Sequence, residues 1–102
     1  MRYLMLFAIP LLSACSFSFM QYDNLPVVKA TYSDHATKAS VMAAGGKPDS
    51  QINLGGNGSC LNYTLRNGSE SMPFYVAFDG SGKRIHYGYI TCQAAQQKGI
   101  LK

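Results

Sequence analysis

The stretch PFYVAFDGSGKRIHYG, residues 73–88, decides the fold. Phe74, Val76 and Phe78 alternate with Tyr75 and Ala77, the period of two that marks a strand burying one face. DGSGK at 79–83 carries the aspartate and glycines of a hairpin turn. Beyond it Ile85, Tyr87 and Tyr89 alternate in the same way. Two strands joined by so tight a turn run antiparallel.

Upstream, CLNYTLR at 60–66 puts Leu61, Tyr63 and Leu65 on one face and Cys60, Asn62, Thr64 and Arg66 on the other. NGSES at 67–71 is the loop between this strand and the next. Pairing Leu61 with Phe78, and Phe78 with Ile85, brings three apolar rows onto one face. SQINL at 50–54 is a further short strand candidate, set off by the GGNG turn at 55–58.

An apolar sheet face has to be covered, and the helical first half can cover it. In LPVVKATYS, 25–33, Pro26 suits a first helical turn or an extended start. Ser33 or Asp34 suits the N-cap of a second helix containing Ala36, Ala39, Val41, Met42, Ala43 and Ala44. Gly45, Gly46 and Pro48 end it. The expected class is α+β: one or two short N-terminal helices packed on a three-stranded antiparallel β-meander.

The chain begins with Met1 and Arg2, followed by an apolar run and then LLSAC at 11–15. A charged start, about ten apolar residues and a small-residue exit have the layout of a secretory signal. The run falls short of the ~20 residues of a spanning helix. Leu12-Ser13-Ala14-Cys15 resembles the bacterial lipobox, which implies cleavage before a lipidated Cys15. The expected organisation is a lipoprotein signal peptide over 1–14, a lipidated tether over 15–24 and one domain over 25–102. Several acyl chains exceed the two signals needed for stable anchoring. Ser16 stands where aspartate would favour inner-membrane retention, so the expected location is the outer membrane, facing the periplasm.

One cysteine assigned to lipid leaves Cys60 and Cys92, and in an oxidising compartment an even pair reads as one disulfide. It would be worth ~3–4 kcal/mol in the chain-entropy model. A straight meander opposes it, because the first and third strands run parallel and leave the two cysteines ~20 Å apart. The bond needs Cα atoms within about 7 Å. The conflict lifts if the third strand ends at Gly88, a residue free to adopt unusual backbone angles, and YITC folds back. Metal binding is the rival use, but no C-x-x-C or H-x-x-x-H spacing exists and His35 and His86 stand alone.

The formal net charge is +4, one less once Arg2 leaves with the signal. The basic residues are scattered, and only Lys83 and Arg84 in the mature chain are adjacent, so no stripe tracks a phosphate backbone and no nucleic acid is expected.

PVVK at 26–29, GKP at 46–48, YVAFDGSGKRI at 75–85, GYITC at 88–92 and the cysteine opening the first strand together resemble the osmotically inducible lipoprotein E (OsmE) family. That family is grouped with the SmpA/OmlA lipoproteins, which include the BamE subunit of the barrel-assembly machine. The resemblance runs over about 25–92 and implies a BamE-like fold, two short helices on a three-stranded sheet. It also implies an envelope lipoprotein of osmotic stress, with no molecular activity attached. TYSDHATKASV at 31–41 lacks the glycine-centred turn usual between the family's helices.

Single residues suggest little chemistry. His86 reads as an exposed strand histidine with no acid or nucleophile beside it. Ser59 in GGNGSC lacks the context of a nucleophile elbow. DGSGK stops after one acid, unlike a calcium loop. Tyr63, Tyr75, Tyr87 and Tyr89 make the sheet aromatic-rich, and tyrosine is enriched at interfaces. No catalytic residue, cofactor or metal is expected, and the chain is not read as an enzyme. The favoured function is a lipid-anchored structural or adaptor protein touching outer-membrane proteins or their assembly machinery. The alternatives are a DNA-binding regulator, opposed by the signal and the scattered charge, and a small periplasmic inhibitor, for instance of lysozyme.

Overall fold

A computed structural model describes residues 20–101. The signal peptide 1–14, Cys15, Ser16 and the tether up to residue 19 lie outside the described residues.

A 3-10 helix, Met20–Asn24, leads into α1 (Pro26–Tyr32) and α2 (Lys38–Gly45). Four strands follow: β1 (Ser50–Asn53), β2 (Ser59–Asn67), β3 (Glu70–Phe78) and β4 (Arg84–Gly88). The last helix is α3 (Cys92–Gln97). The sheet is antiparallel throughout in the order β1-β2-β3-β4. The α+β class stands. The expected three-stranded meander is a four-stranded one, because the SQINL stretch pairs with β2, Ile52 facing Cys60.

The expected tether ended at Asn24, but the folded part begins earlier. Tyr22, in the 3-10 helix, is 5 % exposed and packs in the core with Val27, Val28 and Val41. Pro26 occupies the first turn of α1, where its missing N–H costs no bond. Thr31 is fully buried, its hydroxyl satisfied by the Val27 carbonyl at 2.7 Å. The cap of α2 is Thr37, not Ser33 or Asp34. Its hydroxyl accepts from the Ser40 N–H at 3.1 Å, and Ser40 Oγ accepts from the Thr37 N–H at 2.9 Å, a reciprocal capping box. The residues before it are used elsewhere: the Arg84 N–H donates to the Ala36 carbonyl and the Lys38 N–H to the Gly82 carbonyl, fastening this segment to the start of β4. No residue between the two helices has a positive φ, so the turn needs no glycine.

Leu61 faces Val76 rather than Phe78, and Phe78 faces Ser59. A slip of two residues keeps every side chain on its predicted face, whereas a slip of one would invert them. Leu61, Tyr63, Leu65, Phe74, Val76 and Phe78 accordingly share the buried face under α1 and α2. Between β3 and β4 the register breaks. Ala77 faces His86 and Phe78 faces Arg84, so Ile85 is the extra residue of a bulge. Ile85 therefore leaves the apolar row to which its spacing assigned it.

The second face was expected to be polar. It is instead a smaller core of Cys60, Tyr75 and Ala77 covered by Cys92, Ala95 and Leu101. The domain is thus three layers: two helices, the sheet, and α3 with the C-terminal turn.

Candidate functional site

Cys60 and Cys92 are joined, with Cα atoms 6.0 Å apart and both side chains fully buried. The chain reaches this geometry because β4 stops at Gly88 and α3 crosses the second face of the sheet. Thr91 caps α3 by accepting from the Ala94 N–H at 3.0 Å. The Cys92 N–H donates to Asn62 Oδ1 at 2.8 Å, and Asn62 Nδ2 donates to Gln93 at 3.2 Å and to Ser50 at 3.0 Å. Gly88 serves by its small size, since its φ is not positive. A Cβ there would lie 3.0 Å from Tyr75 Cε1. Cys15, the lipidation candidate, lies outside the described residues.

The remaining surface of interest is β4, an outer strand with two differently furnished faces. On the α1 side the bulge aims Arg84 at the end of α1. Its Nη1 donates to the carbonyls of Thr31 and Ser33, the latter at 3.0 Å. Its guanidinium carbon sits 5.3 Å from the centroid of the Tyr87 ring, within cation–π range. The Tyr87 ring is tilted against Tyr32 at 5.2 Å, and Tyr89 against Phe74 at 5.3 Å. Tyr89 donates to Asp23 Oδ1 at 3.0 Å and shares a hydrogen bond with the Tyr32 hydroxyl at 3.1 Å. Partial burial first, then Tyr32 and Asp23, push the Tyr89 phenol well above the ordinary tyrosine range.

On the other side Ile85 and His86, with Leu54, Gly55, Ile100 and Leu101, line a cavity of about 380 Å³. The large apolar side chains left exposed among the described residues are Tyr32 (43 %), Ile85 (46 %), Tyr87 (42 %) and Ile100 (41 %). All four gather about β4, Tyr32 and Tyr87 in ring contact on one face, Ile85 and Ile100 in one cavity on the other. Sequence reasoning singled out Tyr87 and Tyr89 but missed Tyr32, Arg84, Ile100 and Asp23. The bulge that reorients Arg84 has no mark in the sequence. Tyr63 and Tyr75 are buried on opposite faces and belong to the cores.

Ser59 is buried at the start of β2. One oxygen of Asp79 accepts from the Ser81 N–H (3.0 Å), the Ser81 hydroxyl (2.7 Å) and the Lys83 N–H (3.0 Å), which closes the hairpin turn. These bonds, the Ser81 side chain foremost and the Lys83 backbone next, hold its carboxyl below the usual range. Among the described residues no group of three or more His, Cys, Asp or Glu is placed to hold a metal.

The fold and site define a class of protein: a small α+β domain pinned by one disulfide, whose distinctive surface is a sheet edge. No protein-family profile and no curated protein matches the sequence. Among solved structures, an osmotically inducible lipoprotein OsmE characterised by X-ray crystallography superposes with a TM-score of 0.70 at 30 % identity, over 80 % of this chain and 94 % of that one. The chain belongs to the OsmE lipoprotein family.

Proposed function

We propose that this protein is a lipid-anchored lipoprotein of the outer membrane, attached through Cys15 and facing the periplasm, that acts under osmotic stress as a non-enzymatic adaptor for outer-membrane proteins or their assembly. The family name supports the lipoprotein and osmotic-stress parts of this reading. Leu12-Ser13-Ala14-Cys15 and Ser16 support the anchor and its location. The observation that carries the adaptor role is the gathering of Tyr32, Ile85, Tyr87 and Ile100 at one strand. Single exposed apolar residues are ordinary, but a cluster of them marks a contact surface, and tyrosine is enriched in such surfaces.

Two measurements test the reading. Cys15→Ser should release the protein into the soluble fraction or leave an uncleaved precursor; normal processing with unchanged outer-membrane fractionation would refute the anchor. Crosslinking in intact cells followed by mass spectrometry should recover outer-membrane proteins, and recovery of none would refute the adaptor role.

A further inference from the structure

We propose that the cluster of Tyr32, Tyr87 and Tyr89 lies against the lipid surface at headgroup depth, so that the anchor fixes the orientation of the domain as well as its compartment. The proposal rests on the reading of Cys15 as the lipidated residue and names the face that this anchor turns to the membrane.

The length of the tether sets the reach. Residues 16–19 separate Cys15 from Met20, where the 3-10 helix begins. Five Cα steps span at most about 18 Å, so an anchored chain keeps Met20 within that distance of the lipid. Asp23 follows three residues into the 3-10 helix, about 6 Å further on at a rise of about 2 Å per residue. From Asp23 the contacts run without a break. Tyr89 donates to its carboxylate, Tyr32 shares a hydrogen bond with Tyr89, the Tyr87 ring rests on Tyr32, and Arg84 lies over Tyr87. The cluster therefore starts beside the point at which the chain arrives from its anchor.

The chemistry of the cluster fits that position. A phenol has an apolar body and a wet tip, and tyrosine concentrates where hydrocarbon meets headgroups. Tyr32 and Tyr87 are exposed, whereas the other exposed large apolar residues among those described, Ile85 and Ile100, line the cavity on the opposite face of β4. The charges bordering the rings have both signs: Asp23 accepts from Tyr89, Arg84 lies over Tyr87, and Asp34 shares a hollow with Lys83 and Arg84. The rings, rather than a net charge, hold this face to lipid. Each ring makes only a weak contact, but the anchor renders it intramolecular, and a weak contact is then enough to set an orientation. The membrane takes the tyrosine face and leaves Ile85, His86 and Ile100 for the adaptor contact.

The chain has no tryptophan, so one introduced indole reports alone. Tyr87→Trp and His86→Trp place it on opposite faces of β4, both at exposed sites. The lipidated full chain carrying each change is reconstituted into phosphatidylcholine vesicles with and without brominated acyl chains. The Tyr87→Trp chain should be blue-shifted and lose about half of its emission or more to bromine, as an indole at headgroup depth does. The His86→Trp chain should keep nearly all of its emission. Neither result should change with salt. Equal quenching of the two chains, an unquenched Tyr87→Trp chain, or quenching abolished by high salt would overturn the proposal. So would a blue shift without quenching, which would put a second copy over the ring. Flotation with the vesicles separates the two readings: a Tyr87→Trp chain that floats unquenched removes the orientation and leaves the anchor, whereas an unsubstituted chain that does not float removes both.

Discussion

Cys60 and Cys92 are bonded across the face of the sheet that turns away from α1 and α2, so that the bond holds α3 against β2. That face has a small core, and α3 is only six residues long. Helices this short are marginal without tertiary contacts.

Reduction, or the double change Cys60→Ala/Cys92→Ala, should therefore cost about 3 kcal/mol. Urea unfolding of the intact and reduced protein measures it. An unchanged midpoint would show that α3 holds the sheet without the bond.

Val76 is fully buried in the middle of β3, facing Leu61 on one neighbour and Tyr87 on the other. Val76→Asp places an unpaired charge between the sheet and the helices. In so small a domain the loss should exceed about 3 kcal/mol and abolish cooperative unfolding. A melting temperature within a few degrees of wild type would refute the burial.

Gly45 sits where α2 meets α1. A Cβ there would lie 2.6 Å from Val27 Cγ2 and 3.1 Å from Tyr63 Cε1. Gly45→Ala should destabilise by about 1–3 kcal/mol through overpacking, despite alanine's better helix propensity. Gly46→Ala removes the φ of +75° that lets the helix end. It should also destabilise, with no clash, since no atom lies within 4 Å of its Cβ. The Val27 Cβ would itself lie 2.8 Å from the atom added at Gly45, so thermal melts of the two variants with and without Val27→Gly separate the causes: only the Gly45 defect should be relieved.

Burial raises the phenols of Tyr63, Tyr75 and Tyr89, with Asp49 adding to Tyr63 and the Tyr32 and Asp23 bonds adding to Tyr89. A folded pKa above the unfolded value of about 10 means that the stabilisation is complete below that pH and is lost as pH rises past it. Urea midpoints should hold steady up to about pH 9 and fall above about pH 10. Tyrosinate absorbance should show these three ionising above the ordinary tyrosine range. A midpoint flat through that range would contradict the raised values.

Much of this architecture was legible because local rules carried it. Alternation in 60–66 and 73–78 set the faces of β2 and β3, the DGSGK turn joined β3 to β4, and Gly45-Gly46 ended α2, each through contacts close in sequence. The even cysteine pair pointed to the bond, although only the path of the chain after Gly88 could make it. The exact register, the bulge at Ile85, the cap at Thr37 and the second core beneath α3 depended on groups distant in sequence. Thr37 caps α2 because residues 36–38 are claimed by β4, and Ile85 changes face because the ladder gains one residue there. Tyr75 and Ala77 looked solvent-facing by period, and they are buried because a helix tied to Cys60 lies over them. Periodicity reports that a strand has two faces; which of them stays wet is decided by what the rest of the chain lays across it.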